Sequence, residues 1–402
     1  MQYNVSHGVT MNQEVLMPQE EMLEVSTKNN PLIIGIPKEN TELEQRVSLT
    51  PQAVEMLTSF GHTVYIEKGA GEAAHFSDME YSEAGGKITE NRAEVFKADI
   101  VLKIAPFGKD DIKMLVGKQT IISALHISTQ KRELLQELMD KKITALAFEY
   151  LRSKEGIYPV VRSMSEIAGY SSIMIASEYL SNHHGGKGVL LGGITGVTPA
   201  EVVILGAGTA SEYAARTAIG IGALVKIFDS SVHKLRKLQN QLGQRVYTSV
   251  LHLTTLSKVL PAADVVISTL NPTSDKIVPI PETLVQKMKK GAIIIDLSID
   301  RGGCFETSKV TTHSKPVFTK HGVIHYCVPN IASRVARTAS MAVSDVFAPF
   351  LLNLGNFGGM KLHSSDEFLS GVYIFNGILT CEQISKRFTL PYQDLNLLKA
   401  AF

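Results

Sequence analysis

The chain contains no tryptophan, only three cysteines, no excess charge of either sign, and no uninterrupted run of about 18 apolar residues. Missing tryptophan excludes nothing by itself. Cys304, Cys327 and Cys381 are too few and too scattered for a disulfide framework, and they form no Cys/His cluster of metal-ligand type. No metal is expected, and a reducing, cytoplasmic compartment fits. Lys and Arg number 40 against 39 Asp and Glu, a formal net charge of +1, and no basic run is interleaved with aromatics. Neither nucleic acid nor an anionic membrane is therefore expected as a partner. The first 30 residues are polar and acidic, without the apolar stretch of a secretory signal or a clear periodicity. Residues 1–30 are expected to be a flexible extension.

What the sequence does have is apolar material in a regular alternation. It is 44% hydrophobic over 402 residues, enough for two to three domains. Leu32–Ile36, Thr63–Glu67, Ile100–Ile104, Thr120–His126 and Thr144–Phe148 read as strands separated by helical stretches. Thr50-Pro51 is an N-cap followed by proline at the first helical position. Residues 165–181 have helical apolar spacing and are expected to bridge two domains. Residues 182–198 are rich in Gly and His and are expected to be a mobile loop. Further strands are read at Val265–Ser268, Ala292–Asp296 and Val323–Cys327. Residues 337–402 read as helices, over Met341 to Leu354, Ser364 to Gly377 and Leu379 to Phe388, that return to cover the first domain. The expected fold is α/β, with two Rossmann-like doubly wound domains separated by a cleft. Residues 31–158 and 337–402 form the substrate domain, and 159–336 form the nucleotide domain.

The clearest motif is Val202-Val203-Ile204-Leu205-Gly206-Ala207-Gly208-Thr209-Ala210-Ser211. Four apolar residues form a buried strand, Gly206 and Gly208 allow a tight turn close to a pyrophosphate, and the helix that follows points its free N–H groups there. Asp229 ends the next apolar run, where a carboxylate accepts ribose hydroxyls and repels a 2′-phosphate, so NAD is expected rather than NADP. Ser211 stands where a third glycine is usual, which would loosen helix–strand packing slightly.

Four segments place polar residues at strand ends, where α/β sheets bind ligands. Arg46, in the loop after the first strand, either binds a carboxylate bidentately or is a solvated arginine in a charged loop. His126, closing an apolar strand, is either an acid/base or a hydrogen-bonded strand-end residue. Asp300 precedes a Gly-Gly turn; it and Asp296 either meet a ligand or satisfy loop N–H groups. Asn330, at a strand exit, bonds nicotinamide or substrate, or is a turn residue.

Together these segments resemble the alanine dehydrogenase / transhydrogenase N-terminal family, most closely its alanine dehydrogenases, over about residues 31–390. The resemblance runs through Gly35-Ile36-Pro37-Lys38-Glu39, Arg46 to Pro51, Glu67-Lys68-Gly69-Ala70-Gly71, Leu125-His126, Met164 to Gly169 and Gly206 to Ala210. It continues in Asp296 to Glu306 and Tyr326 to Asn330. It implies reversible oxidative deamination of L-alanine to pyruvate and ammonium, with NAD taking the Cα hydride, in a homo-oligomer, either hexamer or dimer. By position it implies that Arg46 holds the substrate carboxylate and His126 is the general acid/base. Asp300 would orient the attacking water and the nicotinamide ribose. Ser165, Leu270 and Asn330 would line the cofactor, and Asp229 would take the adenosine ribose.

One element departs from the family pattern. Its dehydrogenases usually carry Lys-Val-Lys-Glu-Pro before the histidine strand, the second lysine touching pyruvate. Here the run is Leu102-Lys103-Ile104-Ala105-Pro106, with Ala105 in the lysine's place. Residues i and i+2 of a strand face one side, about 7 Å apart, so Lys103 is expected to substitute. The departure also leaves open a related dehydrogenase of another amino or 2-oxo acid, or a nucleotide-binding protein of low turnover.

Overall fold

The structure, a computed structural model, describes residues 31–40, 42, 44–127, 130–270, 279–356 and 366–401; the expected extension 1–30 lies outside them. The first sheet is built from β1 (Ile33–Ile36), β2 (Thr63–Glu67), β3 (Lys87–Thr89), β4 (Ile100–Leu102), β5 (Thr120–Ser123) and β6 (Thr144–Ala147). The second is built from β7 (Glu201–Leu205), β8 (Leu224–Asp229), β9 (Tyr247–Val250), β10 (Val265–Ser268), β11 (Ile293–Asp296), β12 (Val317–Lys320) and β13 (Val323–Tyr326). The chain then rejoins the first sheet with β14 (Val372–Phe375) and β15 (Ile378–Leu379).

The first sheet runs β15-β14-β6-β5-β4-β1-β2-β3 and the second β12-β13-β11-β10-β7-β8-β9. Strands β1 to β6 are mutually parallel, as are β7 to β11 and β13; β12 pairs antiparallel with β13 at one edge, and β14 pairs antiparallel with β6 and with the edge strand β15. Each sheet therefore has the doubly wound order that reverses direction once, between β1 and β4 and between β7 and β10. Crevices open at such points beyond the carboxyl ends of the strands. Central strands are buried on both faces, which is why Val202–Leu205 and Ile293–Ile295 read as continuous apolar runs rather than alternating ones.

The C-terminal region differs from the expectation of helices alone. The helix Ala336–Asn356 and a short helix Asp366–Leu369 are there, but Val372–Leu379 is a β-hairpin added to the edge of β6, followed by the helices Glu382–Phe388 and Leu395–Ala401. The expected helix start at Ser364 lies outside the described residues. Asn376 and Gly377, with φ of 46° and 82°, form the hairpin turn. The segment Ile331–Gly355 is long and apolar enough by composition to cross a membrane, yet half of it is buried within the protein. Phe347, Leu351 and Leu354 sit in the core of the first sheet.

The helix Pro159–Tyr179 carries the chain from one sheet to the other and packs on both Thr209–Ile221 and Ala336–Asn356. A Cβ on Gly169 would lie 2.4 Å from the Ala210 carbonyl oxygen and 2.8 Å from Tyr213 Cβ, so only glycine permits this approach.

Candidate active site

The nucleotide side follows from the turn after β7. Gly206 has φ of 111°, and a Cβ there would meet Thr269 Oγ1 at 2.3 Å. Gly208 caps the helix Thr209–Ile221 and has nothing within 4 Å of where a Cβ would stand. That open space above a 13-residue helix's first turn fits a pyrophosphate. Asp229 is buried at the end of β8, its carboxylate accepting from the Ala207 and Ser231 N–H groups, both at 2.8 Å. It is thereby fixed beside the glycine turn, where a ribose would lie. Ser211 is fully buried, and its hydroxyl pairs with Thr269 Oγ1 at 2.7 Å. Leu270 follows β10 and is buried, its carbonyl accepting from the Ser298 hydroxyl. Ser165 is half-buried on the bridging helix, one turn before Gly169.

Arg46 is not solvated. It is buried, with Nε and Nη2 donating to the two oxygens of Glu44 at 2.8 and 2.7 Å and Nη1 donating to Met164 Sδ at 3.0 Å. Burial works to raise the Glu44 carboxyl, but the Arg46 charge and hydrogen bonds outweigh it and hold it below the ordinary range. The loop carrying the pair is irregular, so its buried N–H groups need partners. Serines supply them: Gln45, Val47 and Thr50 N–H donate to the hydroxyls of Ser333, Ser340 and Ser344 at 2.8, 2.9 and 3.0 Å. Asn330 has left-handed backbone (φ 55°) and reaches across from the second sheet, its Nδ2 donating to Glu44 at 2.5 Å.

His126 and Asp300 approach this cluster from opposite sheets. His126 also has positive φ (45°), and its N–H and that of Leu125 donate to Glu149 Oε1 at 3.1 and 2.8 Å. Glu149 follows β6 as His126 follows β5, so one strand end holds its neighbour's loop. Asp300 lies on the 3₁₀ turn Ile299–Arg301 after β11, open to solvent at its tip but flanked by protein on both sides. That surrounding mass raises its carboxyl above the ordinary value, opposed by the facing His126 imidazole, the Asn330 backbone N–H, Arg301 and Arg46. Asp296 plays the structural part considered for it: it is buried and accepts from the Ser298 and Cys304 N–H groups and the Ser308 hydroxyl.

The structure thus brings Arg46, His126, Asp300 and Asn330 together. It does not bring Lys103 to them. β4 ends at Leu102, so the alternation that would aim Lys103 with Ala105 stops there. Glu39 Oε1 takes the N–H groups of Ile104 and Ala105 at 2.6 and 3.3 Å. Lys103 is buried with Nζ 2.6 Å from Asp111 and 3.7 Å from Glu39.

Sequence reasoning missed Glu39, Glu44, Glu149 and His313. Glu39 and Glu149 follow strands β1 and β6, which is the signal that pointed to His126. His313, beside Glu44 and Asn330, has its imidazole lowered by burial and its Nε2 buried without a hydrogen-bond partner.

The comparisons with known proteins agree with this arrangement. Family models described as the alanine dehydrogenase/PNT N-terminal domain and C-terminal domain match residues 35–168 and 172–382. An alanine dehydrogenase of Methanococcus maripaludis is 38% identical over 365 residues, covering 90% of this chain and 98% of the relative. One from Mycolicibacterium smegmatis is 37% identical over 367 residues, with 90% and 98% covered. A solved L-alanine dehydrogenase superposes with a TM-score of 0.84 at 33% identity, covering 89% of this chain and 99% of its own. A transhydrogenase from Sinorhizobium meliloti shares the fold, with a TM-score of 0.74 at 22% identity and 86% and 99% covered.

Proposed function

The chain belongs to the alanine dehydrogenase/PNT family, and we propose that it is an NAD-dependent L-alanine dehydrogenase, interconverting L-alanine with pyruvate and ammonium. The observation that carries the reading is the meeting of His126 and Asp300 across the two domains, tied to Arg46 through Glu44 and Asn330. Gly206, Gly208, Asp229, Leu270, Ser165 and Asn330 hold the dinucleotide, which when bound accepts the hydride from Cα. Asp229 favours NAD because a second phosphate on the ribose would face a fixed, buried carboxylate.

Arg46, held in orientation by Glu44, binds the substrate carboxylate. His126 is the acid/base: it takes a proton from the attacking water and returns one to the leaving amine. Asp300 orients that water and the nicotinamide ribose. Closure of the cleft excludes bulk water from the reacting carbon while leaving the one positioned molecule. We further propose residues 31–158 and 337–402 as the substrate domain and 159–336 as the nucleotide domain. A homo-oligomer is inferred from exposed apolar side chains such as Tyr170, Met174 and Ile194. A cytoplasmic location fits the cysteines, which are all free thiols.

The test is NADH absorbance, with L-alanine and NAD in one direction and pyruvate, ammonium and NADH in the other, each paired with NADP(H). NADH formed from L-alanine is the expected result. Ala105 favours one second reading, a different amino or 2-oxo acid, and turnover with another substrate but not alanine would select it.

A further inference from the structure

We propose that Arg301 is a substrate-binding residue, supplying from the nucleotide domain the cation that Ala105 does not supply from the substrate domain. The inference rests on the alanine–pyruvate reading above and assigns how the 2-oxo acid is held.

The cations of the substrate domain at this site are already matched. Arg46 gives both ends of its fork to Glu44. Lys103 is divided between Asp111 and Glu39. Arg92, next in line, is paired with Glu67 at 2.5 Å and Asp111 at 2.8 Å. These three cations already face four carboxylates, Glu44, Asp111, Glu39 and Glu67, so a carboxylate substrate adds one more negative charge, and a buried charge without a partner is costly.

Arg301 is the group in excess. It ends the turn Ile299–Arg301, which is firmly held: the N–H groups of Arg301 and Gly303 donate to the Ser298 carbonyl at 2.9 and 3.1 Å, and Gly302 N–H to Ile299 at 3.0 Å. Its side chain is exposed and, among the described residues, makes no hydrogen bond or ion pair, even with Asp300 beside it. Its charge nevertheless reaches Asp300 on its own turn and Tyr150 on the other domain, just beyond β6. The guanidinium is within electrostatic reach of both, on the turn that carries Asp300 and facing the segment after β6 that carries Tyr150. The same turn is joined through Asn330 and Glu44 to Arg46.

An unengaged guanidinium at that place suits the carboxylate and carbonyl oxygens of a small 2-oxo acid, which its planar fork can meet with two N–H groups. Arg46 and Arg301 then bracket the acid from opposite domains, and the second contact forms as the cleft closes.

The test is pyruvate titration of the enzyme–NADH complex, read by NADH fluorescence, for wild type, Arg301→Gln, Arg301→Lys and the double variant Arg301→Gln/Ala105→Lys. Arg301→Gln is expected to weaken pyruvate at least tenfold while NADH affinity stays within twofold. Arg301→Lys should retain part of the affinity, and Ala105→Lys should restore part in the Arg301→Gln background. In turnover assays the effect should fall on KM for pyruvate more than on kcat. Pyruvate affinity within twofold of wild type in Arg301→Gln would overturn the assignment, as would a wild-type NADH complex that binds no pyruvate. Failure of the alanine reading shows separately, as absence of NADH formation from L-alanine in the wild type.

Discussion

Replacing Glu39 with glutamine should stabilise the protein at alkaline pH and leave it nearly unchanged in acid. Burial pushes the Glu39 carboxyl up from 4.5 to about 7, although Lys103 and the Ile104 N–H pull the other way. Its Oε2 is buried with no hydrogen-bond partner. The folded state therefore keeps a proton that the unfolded chain releases. The contribution of neutral Glu39 is complete below pH 4.5 and is lost as pH rises through 7. The gap between 4.5 and about 7, at 1.36 kcal/mol per pH unit, makes ionised Glu39 cost about 3 kcal/mol. Glutamine keeps the acceptor for the Ile104 and Ala105 N–H groups and carries no charge, and Lys103 retains Asp111. Urea unfolding of both proteins from pH 4 to pH 9 measures the difference. Far-UV circular dichroism is the signal, since the chain offers no tryptophan. The advantage of Glu39→Gln should rise from near zero at pH 4 to about 3 kcal/mol at pH 8. A difference that does not vary with pH, or a variant less stable than wild type at pH 8, would refute the reasoning.

Two further substitutions address the acid/base and the helix contact behind the nucleotide turn. His126→Ala should lower kcat by about 10²–10⁴-fold with NADH affinity unchanged; undiminished kcat would return His126 to a strand-end role. Gly169→Ala places a methyl 2.4 Å from the Ala210 carbonyl, so the two helices must part. It should cost about 1–3 kcal/mol in stability and weaken NADH, because Ala210 lies in the first turn facing the pyrophosphate. Wild-type melting and NADH affinity in that variant would contradict the packing argument.

The parts of the molecule legible in the sequence are those governed by local rules. Both central sheets show as apolar runs, and the Gly206–Gly208 turn with Asp229 carries its own spacing. The terminal hairpin was less visible because Val372–Phe375 is an apolar run without alternation, as short helical segments also are. Asn376-Gly377 was the available signal. The alternation that would aim Lys103 with Ala105 holds only while a strand continues, and β4 ends at Leu102. Glu39, distant in sequence, takes the N–H groups of Ile104 and Ala105, and no periodicity reveals that. Glu44 is similar: a carboxylate two residues before an arginine in a charged loop gives no sign that both are buried as a pair. Arg301, before two glycines, carries no sign in the sequence that sets it apart from any polar turn residue.

The serine contacts of the Arg46 loop bear on how the protein is made. Ser333, Ser340 and Ser344 belong to a stretch translated nearly 300 positions after the loop they complete, and β14 covers the edge of β6 from farther still. A ribosome delivers the whole nucleotide-binding sheet in between. That sheet can settle while the chain is still growing, whereas the Arg46 loop and the edge of β6 must wait for residues 333–344 and 372–375 to emerge. Chains stalled or cut before Ser333 would then retain a dinucleotide fold beside an unfinished substrate half.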